Sequence, residues 1–313
     1  MSTITILTMF FNLKKLKDAS SLTRPQEFYI ENGRETLKLK YPMVIFCDED
    51  SYEFLKKIRD EEIDSNVIKT EYIIKNFTEY EYYNQYWDII NDNRKRSNGY
   101  KNPDNRNTVS YFLMGMFKPL AFLIAKQKNF FNTTHYAWID LGCNHIVRKL
   151  SEYAPKMLDN PSSKVSVCYI HYRSENEIYP MKKYIEYGGP CGIASTAYTV
   201  EGTYIDKYFS SMFTIFNDMI YNGYGHTDET VMVYSYSKHR EIYNIYYGDY
   251  YSIFTNYHNI TEDYHSIKNF FIFSCLNKNR KDLAKECSMK ILHSYDQKYI
   301  DLNQDELNFL RNI

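Results

Sequence analysis

Two short runs of apolar, largely β-branched residues, ITILTMFF at 4–11 and MVIFC at 43–47, constrain the fold more than any other feature of the sequence. Each is too short for a buried helix and apolar at nearly every position, as a strand must be when both faces of its sheet are covered. Between them, residues 25–39 carry helical patterning from Pro25 onward, interrupted by Gly33. After the second run, SYEFLKKIRDEE at 51–62 offers Ser51 as an N-cap and places Phe54, Leu55 and Ile58 on one face. This strand-helix-strand-helix opening predicts an α/β fold, with a mainly parallel central sheet flanked by helices. With 313 residues, 44% hydrophobic content and neither an internal repeat nor a linker, the expected organisation is one domain over 1–313.

Further along, Val109, Phe112, Leu113, Met116, Phe117, Leu120, Leu123 and Ile124 recur at helical spacing. Pro119 lies inside that pattern and predicts a kink or restart, with Lys118 at the break. Residues 136–139 and 164–171 read as buried strands, and Tyr204, Tyr208, Met212, Ile215, Phe216 and Met219 as one face of an amphipathic helix. The polar stretch 94–107, with Arg94-Lys95-Arg96, Gly99 and Pro103, reads as a long, solvated, mobile loop.

Charge narrows the partners. Thirty-eight Lys and Arg against thirty-nine Asp and Glu leave a net charge of -1, with no bias towards nucleic acid or an anionic membrane. The apolar N-terminus has no basic leader region and no run long enough to span a bilayer, so neither a secretory signal nor a transmembrane segment is expected. Six cysteines without C-x-x-C spacing argue against a zinc ribbon and for free thiols in a reducing, cytoplasmic setting.

In an open α/β sheet, ligands bind beyond the carboxyl ends of the strands, the edge where Asp48, Asp50 and Asp140 are expected. CDED at 47–50 contains a D-x-D, a spacing at which two carboxylates can share a divalent cation. The same acids would equally serve as charges at a helix start. HYAWIDLGCNH at 135–145 poses a similar choice, between a strand-end carboxylate facing a pocket and a turn residue. GHTDETVMVY at 225–234 sets Asp228 and Glu229 at the start of an apolar helical run, and YGGPCGIASTAY at 187–198 is a glycine-rich segment.

KNFFNTTHYAWIDLGCNHI, with YPMVIFCDED before it and GHTDETVMVY after it, resembles the HtrL/YibB (WlaTC-like) family, whose members are proposed to be glycosyltransferases of the GT-A type. The resemblance runs from about residue 3 to about 257, most specifically over 111–146. It implies a GT-A-like domain whose first half, about 1–146, binds a nucleotide-sugar, and whose second half, about 147–313, carries acceptor and catalytic groups. Asp140 would then be the metal-side carboxylate under the donor diphosphate, holding Mn²⁺ or Mg²⁺. The second acid of the general W-x-D-x-D element is replaced by Gly142, so a further ligand must come from elsewhere. His145 and Asn144 are near in sequence, and the family resemblance favours His258. Asp228 and Glu229 would be the catalytic acids, only one facing the cleft, with Asp228 favoured for its shorter side chain. Gly189 and Gly192 would lie along the donor sugar or simply form a tight turn, Lys118 would contact the diphosphate if the helix break points it into the cleft and otherwise be a surface lysine, Thr8 and Phe10 would border the base, and Asp48 would reach the ribose. The donor is expected to be a UDP-sugar; a glycan, a lipid-linked sugar or a protein side chain could each be the acceptor.

Two other readings compete. Cys143 with His145 or His135 could support thiol chemistry, although residues two apart on a turn rarely hold nucleophile and base in geometry. A carbohydrate- or nucleotide-binding protein that keeps the scaffold without turnover is the non-enzymatic alternative.

Overall fold

The computed structural model describes residues 4–21, 23–96, 107–186 and 188–313. Among these residues seven strands form one sheet: β1 (Ile4–Phe10), β2 (Met43–Cys47), β3 (Thr70–Ile74), β4 (His135–Ile139), β5 (Val165–Tyr169), β6 (Ile193–Glu201) and β7 (Tyr243–Tyr247), in the order β3-β2-β1-β4-β6-β5-β7. The β3, β2, β1 and β4 neighbours pair in parallel, β6 runs antiparallel to both β4 and β5, and β7 is parallel to β5. The mainly parallel α/β architecture expected from the opening runs is therefore the one the chain adopts.

Helices connect and cover the strands: α1 (Gln26–Leu37), α2 (Glu49–Glu62), α3 (Glu81–Arg96), α4 (Val109–Lys128), α5 (Leu150–Asp159), α6 (Glu175–Ile178), α7 (Met181–Glu186), α8 (Ile205–Tyr221) and α9 (Asp228–Lys238). Four more, α10 (Tyr264–Ile267), α11 (Phe273–Asn277), α12 (Lys281–Asp296) and α13 (Gln304–Arg311), close the chain. Strand alternation divides the core in two. Leu7, Met9, Val44, Phe46, Tyr136 and Trp138 pack with α3, α4, α8 and α9, while Ile4, Ile6, Met43, Ile45, Ala137 and Ile139 pack with α1, α2 and α5. Each of the Leu, Ile, Val, Met and Phe side chains among these, taken wholly out of water, contributes about 1.5–3 kcal/mol, so both layers weigh heavily against chain entropy.

Two boundaries differ from the sequence expectation. Helix α2 begins before Ser51: Asp48 is its N-cap and accepts the Ser51 N–H at 2.9 Å. Helix α4 runs unbroken through Pro119, which is buried with its neighbours. Proline removes one N–H from the ladder, and burial of the apolar faces on either side outweighs that loss. Of the polar stretch 94–107, residues 94–96 close α3 and 97–106 lie outside the described residues, where the expected loop falls. By length and composition α4 could cross a membrane; here most of its apolar stretch is buried against β1, α3, α8 and α9.

Candidate active site

Strand direction decides where the chemistry gathers. The carboxyl ends of the parallel strands share one edge with the start of antiparallel β6, where Asp140 N–H donates to Thr196 O at 2.9 Å. A cavity of about 510 Å³ opens along this edge. Helix α4 lays one stripe against it, Tyr111, Met114, Gly115 and Lys118, the i, i+3, i+4, i+7 spacing of a single helix face. Asp140 continues the Tyr136 and Trp138 side of β4, the face α4 covers, so its carboxylate meets Lys118.

Lys118 is the hub. Its ammonium lies 3.1 Å from Asp140 Oδ1 and 3.1 Å from Asp228 Oδ2, and it donates to Ser195 O at 3.0 Å and Ser195 Oγ at 3.1 Å. An ammonium has three N–H donors; the two Ser195 oxygens and Asp140 account for them, and Asp228 Oδ2 meets the charge as an ion pair without a hydrogen bond. Burial alone would lower the Lys118 pKa; Asp140 and Asp228 reverse this and hold it above its usual value. Trp138 Nε1 donates to the same Asp140 oxygen at 2.6 Å. Burial nevertheless raises the Asp140 pKa, with Lys118 and Trp138 pulling the other way. Asp228 is tucked against α4 at Gly115, where any Cβ would stand 2.6 Å from Asp228 Oδ1. That contact requires glycine at 115.

The adjacent acid has a different setting. Glu229 Oε1 accepts the Ser195 N–H at 3.2 Å and Oε2 accepts from Tyr250 OH at 2.8 Å, a hydroxyl that also lies 2.9 Å from Cys191 Sγ. Burial first, then the neighbouring Asp228, pushes the Glu229 pKa up to about 7. Asp228 is buried and Glu229 only partly so, as expected for neighbours about 100° apart on a helix.

The cavity thus brings together Phe10, Lys118, Asp140, Gly142, Asp228 and Glu229 from the sequence-derived set. It does not bring in Thr8, Asp48, Gly189, Gly192 or His258. Thr8 is wholly buried in β1, its hydroxyl without a hydrogen-bond partner. Asp48 spends its carboxylate on backbone donors, Ser51 N–H and Asn12 N–H (2.7 Å), which fits a cap and not a ribose contact. Gly189 has φ +52° and would place a Cβ 2.8 Å from His226 Nε2, so its glycine serves a turn packed on α9. Gly192 backs onto His171 O. His258 is exposed and its Nε2 lies 3.1 Å from Lys156 O.

These placements bear on the metal. Among the described residues no group of three or more His, Cys, Asp and Glu is placed to share an ion. A Cβ at position 142 would stand 3.0 Å from the Tyr29 ring, a close approach that any side chain there would require the ring to relieve. Asn144 and His145 are exposed, and the His145 ring is engaged by Arg24 and by Gly142 O. Asp140 already shares its charge with a resident ammonium, which weakens its pull on a further cation. The donor set therefore fits a divalent ion poorly. Thiol chemistry fares no better: Cys143 is buried, and burial drives its pKa well above the usual thiol value.

Residues that sequence reasoning did not single out complete the lining or brace it: Arg24, Tyr29, Ser195, Tyr250 and, behind Asp140, Trp138. Trp138 was visible two residues before the acid, on the same strand face; the others become neighbours only through the sheet.

The family's sequence profile, described as bacterial protein of unknown function (HtrL_YibB), matches residues 2–259. The chain belongs to that family. No curated protein matches it. Among solved structures it is similar to mouse xyloside xylosyltransferase 1 in its apo form (11% identity, TM-score 0.39, 77% of this chain and 83% of that one). It is also similar to 4-diphosphocytidyl-2C-methyl-D-erythritol synthase from Anaerococcus prevotii (11%, TM-score 0.40, 80% and 90%) and to HddC from Yersinia pseudotuberculosis (11%, TM-score 0.27, 66% and 80%).

Proposed function

We propose that the chain is a glycosyltransferase that takes a sugar from a nucleotide-sugar, in first place a UDP-sugar, to a hydroxyl on a glycan, lipid or protein acceptor. The observation that carries this reading is the division of labour between Asp228 and Glu229. One acid is buried against Lys118, and the other faces the cavity with its pKa at about 7. A carboxylate in that range is matched to taking a proton near neutral pH.

In this mechanism Glu229 accepts the proton of the acceptor hydroxyl as its oxygen attacks the anomeric carbon. The bond from that carbon to the β-phosphate oxygen breaks, and the nucleoside diphosphate departs with the electron pair. Tyr250 and the Ser195 N–H orient Glu229, while Lys118 fixes Asp140, Asp228 and the start of β6 relative to one another. Asp140, held at one oxygen and partly open at the cavity, orients the donor.

The test is to incubate the purified protein with a panel of nucleotide-sugars, with and without sugar acceptors, and follow free nucleoside diphosphate. Slow release that accelerates with an acceptor supports transfer. Binding with no release across the panel would leave only the non-catalytic reading.

A further inference from the structure

Building on the proposed function, we infer that this cavity binds the donor's diphosphate without a divalent cation, the phosphate charge being met by the Arg24 guanidinium. Among the described residues lining the cavity, Arg24 and Lys118 are the two that carry a fixed positive charge. Lys118 is committed: it is buried, two Ser195 oxygens and Asp140 take its three donors, and Asp228 pairs with its charge. It stands between the two carboxylates, the position a bridging ion would require.

Arg24 is built for the opposite task. It precedes α1, is half-buried, and its guanidinium lies over the Phe28 ring at 4.4 Å. One N–H donates to His145 Nε2 at 2.7 Å. For Nε2 to accept, the His145 proton must be on Nδ1, where it is donated to Gly142 O. The ring thus ties Arg24 to the turn that follows Asp140. The fork retains further N–H donors on a group that lines the cavity, suited to paired phosphate oxygens. A guanidinium fixed by a histidine and an aromatic face loses little freedom on binding, so its charge is delivered in place.

The experiment is calorimetric titration of the full chain with UDP, GDP and CDP, first in excess EDTA and then with Mn²⁺ or Mg²⁺. The expected result is that at least one of them binds in EDTA within about threefold of its affinity with metal, and that Arg24→Ala weakens it by about tenfold or more, as loss of a charge-assisted pair should. His145→Ala should weaken binding less, and it serves as the second variant should Arg24→Ala lose its native melting transition. Binding that appears only with added metal, or an Arg24→Ala protein that folds and binds as the wild type does, would overturn the inference while leaving the transferase reading standing. If none of the three binds in either condition, both fall together.

Discussion

Two strand ends on one edge of the sheet look alike in sequence and behave differently. After β2 comes Asp48, after β4 comes Asp140, each an acid directly following a buried apolar strand. Helix α2 starts at Glu49, so its free N–H groups lie within reach of Asp48 and absorb it as a cap. After β4 no α-helix begins until Leu150, so no N-terminus claims Asp140, and Trp138 and Lys118 take it instead. Whether a strand-end acid serves the fold or the cavity therefore depends on whether a helix starts directly after it.

The largest expected effect is at Asp140. Asp140→Asn keeps a hydrogen-bonding group for Trp138 and Lys118 in place but removes the charge, and Lys118 still has Asp228. Its expected outcome is loss of measurable transfer with the thermal transition preserved, read by product assay and calorimetry on one preparation. Outright unfolding would move Asp140 to the structural side.

Lys118→Met sharpens the same point from the opposite partner. It leaves Asp228 buried with no ammonium beside it, a loss of about 3–5 kcal/mol for breaking a buried pair. Urea unfolding measures it, and adding Asp228→Asn to the variant should restore part of the loss. A cost below about 1 kcal/mol would mean the pair behaves as an exposed one.

Asp48→Ala is the smallest effect. Removing the cap should cost about 1 kcal/mol of stability. Nucleoside diphosphate affinity should stay unchanged in titration, because Asp48 does not line the cavity.

Sequence patterning carried the strands with strong apolar runs. β1, β2, β4 and β5 fall within a few residues of their expected positions, as do α1 and α8. The strands it missed lack that signal. β3 is only half-buried, β6, although central, is rich in Ser, Thr and Ala, a composition that hides a strand, and β7, though mostly buried, is a short Tyr-Asn-Ile-Tyr-Tyr run in a tyrosine-rich chain. Among the site residues, Asp140, Asp228 and Glu229 were legible as acids at strand or helix ends, and the family resemblance suggested roles for them; the sequence favoured Asp228 as the base, whereas its burial beside Lys118 moves the proposal to Glu229. Lys118 stood out for its proline neighbour, yet its enclosure by Asp140, Ser195 and Asp228 depends on residues 22, 77 and 110 positions away along the chain. Arg24 and Tyr250 had no local signal at all; the sheet alone brings them to the same cavity.

The raised Glu229 pKa also predicts a pH signature in stability. Unfolded, the group loses its proton near the ordinary 4.5; folded, near about 7. Between those values the folded chain holds the extra proton, so this group's contribution declines as pH rises from about 4.5 to about 7. Glu229→Gln should flatten that slope in melting experiments.

The most direct test of the central claim, that Glu229 is the base set apart from its neighbour, is the pH profile of turnover for the wild type beside Glu229→Gln and Asp228→Asn. Wild-type turnover should rise through pH of about 7 as Glu229 ionises, and a Glu229→Gln protein should bind donor normally but turn over about two to four orders of magnitude more slowly, with that rise gone. A Glu229→Gln variant retaining both the rate and the rise, or a rise that vanishes only in Asp228→Asn, would contradict it.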